Sequence, residues 1–324
     1  MKSQSISKSL SLVRGLFLIV AILLSAFGPI KPALADNAGT ALQFNGTSQY
    51  VTFGSAAGTT TGLGVQVFTI ELWFKRTGTG ATTTTGSGGL STAIPLVSKG
   101  RGEGDNSNLD MNYFFGIDNA TGRLAADFEE CSPATQAPDC LAGGTAGLNH
   151  PAYGSAVIQN NVWYHAAVTY DGRYWKFYLN GVQDGATTDV GAVRYPRWDS
   201  IQHAGIGTAM TSTGAAAGFF AGITDEVRVW NVVRTQAEIQ ADMYDELTSG
   251  TGLIGRWGLN EGSGTTAANS IAGRPNGTLT GTPTWVTGFP LPDLTPPAAP
   301  TGLAASPFNG GIYLSWNPNA ETDL

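Results

Sequence analysis

Apolar and polar positions alternate along much of the chain with period two, the pattern of strands that bury one face. The clearest case is residues 161–183, NVWYHAAVTYDGRYWKFYLNGVQ. Its first run places Tyr164, Ala166, Val168 and Tyr170 on one face; its second sets Trp175, Phe177 and Leu179 against Tyr174, Lys176 and Tyr178. Asp171-Gly172 joins the runs and supplies the positive φ of a tight hairpin, and Asn180-Gly181 marks a further reversal.

Similar strands are predicted on both sides. ALQFNGTSQYVTFG from Ala41 turns at Asn45-Gly46, and VFTIELWFK carries Phe68, Ile70, Leu72 and Phe74 on one face. Residues 94–98, 111–117 and 123–130 follow, the last opposing Leu124, Ala126 and Phe128 to Ala125, Asp127 and Glu129. The Gly/Thr/Ser-rich stretch 77–92 reads as a flexible loop, and 131–153 as an insertion. Beyond the hairpin, 200–207, 218–231, 253–259 and 278–286 supply further strands. The period changes only after Arg234, where Thr235-Gln236-Ala237-Glu238 forms a capping box before one short helix. The expected class is all-β: a two-sheet antiparallel sandwich over residues 41–287. A Pro-rich linker at 288–300 leads to a second, partial β-module at 301–324, with Leu314 and Trp316 as its core.

Composition narrows the setting. Only 13% of residues are charged and 44 of 324 are Gly, which suits a turn-rich extracellular protein. Residues 1–35 read as a signal peptide, with Lys2, Lys8 and Arg14 ahead of an apolar core from Leu16 to Phe27 that is too short to span a bilayer. Removing that segment and its four basic residues takes the formal net charge from −7 to −11. Such a surface repels phosphate backbones, so nucleic acid is excluded as a partner, and it suits capture of a divalent cation. Cys131 and Cys140 are the two cysteines of the chain, and an even pair in a secreted protein reads as a disulfide.

Five motifs in order carry a resemblance: ALQFNGTSQYV, FTIELWFK, WYHAAVTYDGRYWKFYLNGV, GITDEVRVWNVVRTQAEI and GLIGRWGLNEGSGTTAANS. Together they resemble the laminin G-like jelly-roll domain of secreted bacterial proteins, within the concanavalin A-like superfamily. PPAAPTGLAAS followed by IYLSWNPNAETDL resembles the first two strands of a fibronectin type III module, which would end incomplete at Leu324. The resemblance implies two curved sheets, with loops at one rim used for calcium, sugar or protein ligands. Asn45, Ser48 and Gln49 are neutral where the family's first motif often carries acids.

Three groups of residues could carry chemistry. In ITDEVRVWN, strict alternation puts Asp225 on the apolar face of Ile223, Val227 and Val229. A carboxylate there needs either a structural Ca²⁺, with Asn45 or backbone carbonyls completing it, or hydrogen bonds from backbone or Arg. Asp127, Glu129 and Glu130 form the densest acidic cluster. They read as a solvated rim, as a ligand or cation site together with Tyr153, or as a glycosidase pair with carboxyls about 5–7 Å apart. ADFEE lacks the three-acid pattern of the jelly-roll glucanases, and no serine elbow, zinc motif or phosphate loop occurs. His165 reads as a packing residue, and Tyr153, Trp175 and Trp198 as sugar-stacking rings if exposed. The expected function is a secreted, non-catalytic binding or adhesion module for carbohydrate or extracellular protein, with structural Ca²⁺. The alternatives are a glycan-active hydrolase using Asp127 and Glu129, or a structural spacer.

Overall fold

A computed structural model describes residues 39–104, 108–131, 140, 144–291, 301–309 and 311–317. The targeting segment expected at 1–35 and residues 292–300 of the expected linker lie outside them. The chain divides into two compact units, one spanning Asn37–Leu291 and the other holding the C-terminal residues.

The larger unit begins with β1 (Thr40–Asn45), β2 (Tyr50–Thr52), β3 (Phe68–Arg76), β4 (Ala93–Lys99), β5 (Tyr113–Asp118), β6 (Arg123–Asp127) and β7 (Ala152–Val157). The central hairpin is β8 (Trp163–Tyr170) and β9 (Tyr174–Leu179), followed by the short β10 (Val182–Gln183) and β11 (Thr188–Asp189). Next come β12 (Ala204–Ile206), β13 (Thr208–Met210), β14 (Ala216–Phe219) and β15 (Ala221–Trp230). Helix α1 (Gln236–Asp242) precedes β16 (Leu253–Trp257), β17 (Thr266–Ala267), β18 (Gly277–Thr280) and β19 (Thr284–Thr287).

These strands form two large antiparallel sheets. The first runs β10-β9-β8-β3-β15-β1-β19, with β11 on β9 and β16 on β15; the second runs β17-β18-β2-β12-β4-β5-β6-β7. Their inner faces meet in one core. Phe68, Ile70, Leu72 and Phe74 of β3, with Ala166, Val168, Trp175 and Phe177 of the hairpin, pack towards Ile94, Tyr113, Phe115, Ile117 and Leu124 of the second sheet. The hydrophobic effect holds the layers together, because each strand presents its apolar alternate to the same interior. Trp175 is fully buried here and cannot stack on a ligand.

One irregularity redirects side chains. In the β15–β3 ladder Asp225 pairs with Trp73 but Arg228 pairs with Glu71, so Glu226 and Val227 share one place opposite Leu72. Glu226 has φ 49°, the left-handed value of a β-bulge. Strict alternation therefore fails: Val227 and Val229 enter the core, whereas Asp225 turns to the outer face beside Trp73. Arg228, Arg234, Arg256, Glu71 and Glu226 form a buried ionic network on that face. Arg234 Nη1 lies 3.1 Å from Glu71, Trp230 Nε1 donates to Glu71 at 2.9 Å, and Arg256 grips Glu226. Arg228 and Arg234 also bond the carbonyls of Asp242 and Glu238, which ties α1 to the sheet. Thr235 caps α1 as expected, exchanging hydrogen bonds with Glu238. His165 is buried against Trp73 and Glu71, and burial pushes its pKa down to about 4.

Three expectations are corrected. The 77–92 loop is no loose excursion, since Leu90 packs with Met111, Phe114 and Ala125 on the outer face of the second sheet. Residues 288 and 289, placed in the linker, belong to the sandwich: Phe289 stacks on Trp73 with ring centroids 3.5 Å apart. In the second unit, β20 (Ala304–Phe308) and β21 (Gly311–Ser315) pair as a hairpin, but Leu314 and Trp316 are exposed and bury no core.

Candidate functional site

The acidic cluster sits at the end of β6, on the face of the second sheet that residues 84–90 cover. Alternation sends Leu124, Ala126 and Phe128 inward and Asp127 and Glu129 outward, as the sequence predicts. They do not reach solvent. Asp127, Glu129 and Glu130 are at most 1% exposed, which corrects the expectation of a solvated rim. Asp127 accepts from Thr85 Oγ1 (2.6 Å), Asn149 Nδ2 (2.9 Å) and the His150 N–H (2.8 Å). Burial outweighs these donors and raises its pKa to about 7. Glu129 accepts from the Met111 N–H, and Glu130 pairs with Arg194 (2.8 Å) and His150 (3.1 Å). Tyr153, the fourth residue expected here, pairs with Ala125 from β7, is 43% exposed and lies within electrostatic reach of Asp127. Trp198 is half-buried. The disulfide Cys131–Cys140 forms as expected, directly after the cluster.

Asp225 is 4% exposed. Its Oδ1 accepts from the Glu226 N–H (2.9 Å) and its Oδ2 from the Phe289 N–H (2.8 Å). A Cβ built on Gly288 would lie 2.5 Å from Oδ2 and 3.1 and 3.2 Å from the carbonyl oxygens of Thr40 and Gly39. Three oxygens thus converge where β1 begins and β19 ends. Burial raises the Asp225 pKa to about 8. Asn45 is not part of it. It pairs with Ala221, four positions along β15, or about 13 Å away, and its side chain is spent on the Thr47 and Ser48 amides. The bulge and the chain crossing, not the first motif, define this site. Among the described residues, no three His, Cys, Asp or Glu side chains converge in a metal-binding arrangement.

A third feature was not foreseen. An open cleft of about 250 Å³ lies on the outer face of the first sheet, between β9 and the start of α1. Tyr174, Lys176 and Tyr178 form the outward face of β9, and Asp171, Gln183 and Arg234 line the rest. The alternation of the hairpin set that outward face in the sequence. Only the packing of α1 beside β10, where Gln240 donates to the Gly181 carbonyl, turns it into a cleft.

Residues 45–240, more than half of the chain, match the laminin G-type family model described as the concanavalin A-like lectin/glucanases superfamily. The chain belongs to that family. Among curated proteins it is similar to pappalysin-1 of Mus musculus, 26% identical over 184 residues, and of Homo sapiens, 24% identical over 184 residues. Each match covers 54% of this chain and 10% of the relative, so the chain spans about a tenth of the length of these relatives. A candidate carbohydrate-binding protein from Bacteroides ovatus shares the fold, with a TM-score of 0.51 at 20% identity, covering 78% of this chain and 60% of that one. Among the described residues no helix is long and apolar enough to cross a membrane.

Proposed function

We propose that residues 39–291 form a secreted, non-catalytic module that binds carbohydrate. The cleft beside β9 carries this reading: over a floor of buried Tyr178 and Arg234, the exposed ring of Tyr174 beside Lys176, Gln183 and Asp171 offers the apolar face and the polar groups that a sugar ring requires. The description of the Bacteroides ovatus protein points the same way. A hydrolase using Asp127 and Glu129 is disfavoured, because both carboxylates are sealed beneath residues 84–90 and a glycosidic oxygen needs direct contact with its acid. A disulfide suits an oxidising compartment.

A structural Ca²⁺ belongs to the same reading. Asp225 Oδ2 and the carbonyls of Gly39 and Thr40 would hold it, as a hard cation prefers oxygen ligands. Such an ion would clasp the first and last strands of the sandwich. Glycan-array binding by the full chain tests the function: Tyr174→Ala should abolish binding, and a variant that binds as wild type would remove the cleft from the account.

A further inference from the structure

Lys176 is the unused charge of the cleft beside β9. It stands between Tyr174 and Tyr178 on the outward face of that strand, opposite Thr169 of β8, and its half-buried side chain lines the opening. The polar groups around it are engaged within the protein. Arg234 pairs with Glu71 and Asp242, Gln183 Nε2 donates to the Gly185 carbonyl (3.0 Å), and Thr235 Oγ1 donates to Glu238 (2.7 Å). Asp171 is half engaged: its Oδ1 accepts the Arg173 and Tyr174 amides at 2.9 and 2.7 Å, while its Oδ2 accepts from none of the described residues. Lys176 itself makes no ion pair, hydrogen bond or ring contact with any described residue. The other lysines of the sandwich both do. Lys75 lies 5.0 Å from the Trp163 ring centroid, and Lys99 donates to the carbonyls of Ser55, Ser200 and Gln202.

The surroundings decide which ligand would use this charge. The chain carries 24 acidic against 17 basic residues, so a lone ammonium in a cleft is an island of positive potential on an acidic protein. A neutral sugar would cover the ammonium without pairing it, and desolvating an unpaired charge opposes binding. A carboxylate would turn that penalty into a charge-assisted hydrogen bond. A polysulfated chain fits poorly, because Lys176 offers one charge, Asp171 lines the same opening, and the net charge of −7 repels a polyanion. Spacing places the carboxylate on the sugar. Tyr174 and Lys176 are two residues apart on a strand, or about 7 Å. A hydrogen bond takes up about 3 Å of that span. A ring stacked on Tyr174 therefore meets the ammonium at its edge, where C5 of a hexuronic acid carries its carboxylate.

We propose that the cleft selects acidic saccharides: Lys176 holds the carboxylate of a hexuronic acid whose ring stacks on Tyr174 and whose hydroxyls donate to Asp171 Oδ2. The selection rests on the reading of this cleft as the sugar site.

Calorimetric titration of the full chain with oligomers of galacturonate, glucuronate and mannuronate, each beside its methyl ester, tests the proposal. The ester keeps the ring and its hydroxyls but removes the charge. At least one acid should bind about tenfold more tightly than its ester, and raising the salt concentration should weaken the acid alone. Lys176→Gln should erase the preference, and Lys176→Arg, which keeps the charge, should retain it. Equal affinity for acid and ester, or a preference that survives in Lys176→Gln, would overturn the proposal. Silence towards every acid would overturn it too. In either case binding of neutral saccharides that Tyr174→Ala abolishes would leave the cleft as the sugar site, so the two readings fail separately.

Discussion

Asp225 is ionised in an unfolded chain above about pH 4, yet in the fold it holds its proton up to about pH 8 when no cation is present. The folded state then binds more protons than the unfolded state across that window, so this group makes stability fall as pH rises from about 4 to about 8. The expected outcome is a wild-type stability, measured by urea unfolding in EGTA, that declines across this range relative to Asp225→Asn. Saturating Ca²⁺ should flatten the difference, because the ion replaces the proton. His165 acts in the opposite sense: neutral in the fold down to about pH 4, it costs stability as pH falls below about 6.5. That Asp225 would be a buried, demanding carboxylate was legible from its apolar neighbours. Which face it takes was not, since a one-residue bulge at Glu226 reverses alternation and no turn residue announces it. Asn149 was illegible for another reason: its partners Thr85 and Asp127 are 64 and 22 residues away in sequence.

At the level of elements, the ionic network under α1 makes the strongest demand. Glu71 is fully buried; burial opposes its charge, but Arg228, His165, Arg234 and the Trp230 N–H outweigh burial and hold its pKa below the usual value. Glu71→Gln should therefore destabilise the fold by about 3–5 kcal/mol, because it strands buried guanidiniums; the midpoint of chemical unfolding reads this directly. The cap is worth less. Thr235→Ala should cost about 1 kcal/mol and loosen only α1. Reducing Cys131–Cys140, which are nine residues apart, should lower stability by no more than about 3 kcal/mol and leave the sheets intact by circular dichroism. The capping box and the central hairpin were readable because their signals are local. The 77–92 segment was misread as loose because its low complexity conceals one anchoring residue, Leu90.

For the whole molecule, the sandwich follows from period-two patterning repeated in most strands, which is why fold and family were legible from ordered motifs alone. The proposed ligand site was not, because the cleft exists only where α1 packs beside β9 and β10. The expected rim acids are sealed, and an outward strand face that looked merely polar lines the opening. The function rests on that exchange of roles between the two sheets. Binding and turnover of immobilised glycans by the full chain in Ca²⁺ test it most directly. The account expects saturable binding to a defined set of saccharides, lost in Tyr174→Ala, with no new reducing ends released. Release of reducing ends that Glu129→Gln abolishes, or silence across every saccharide with and without Ca²⁺, would contradict it.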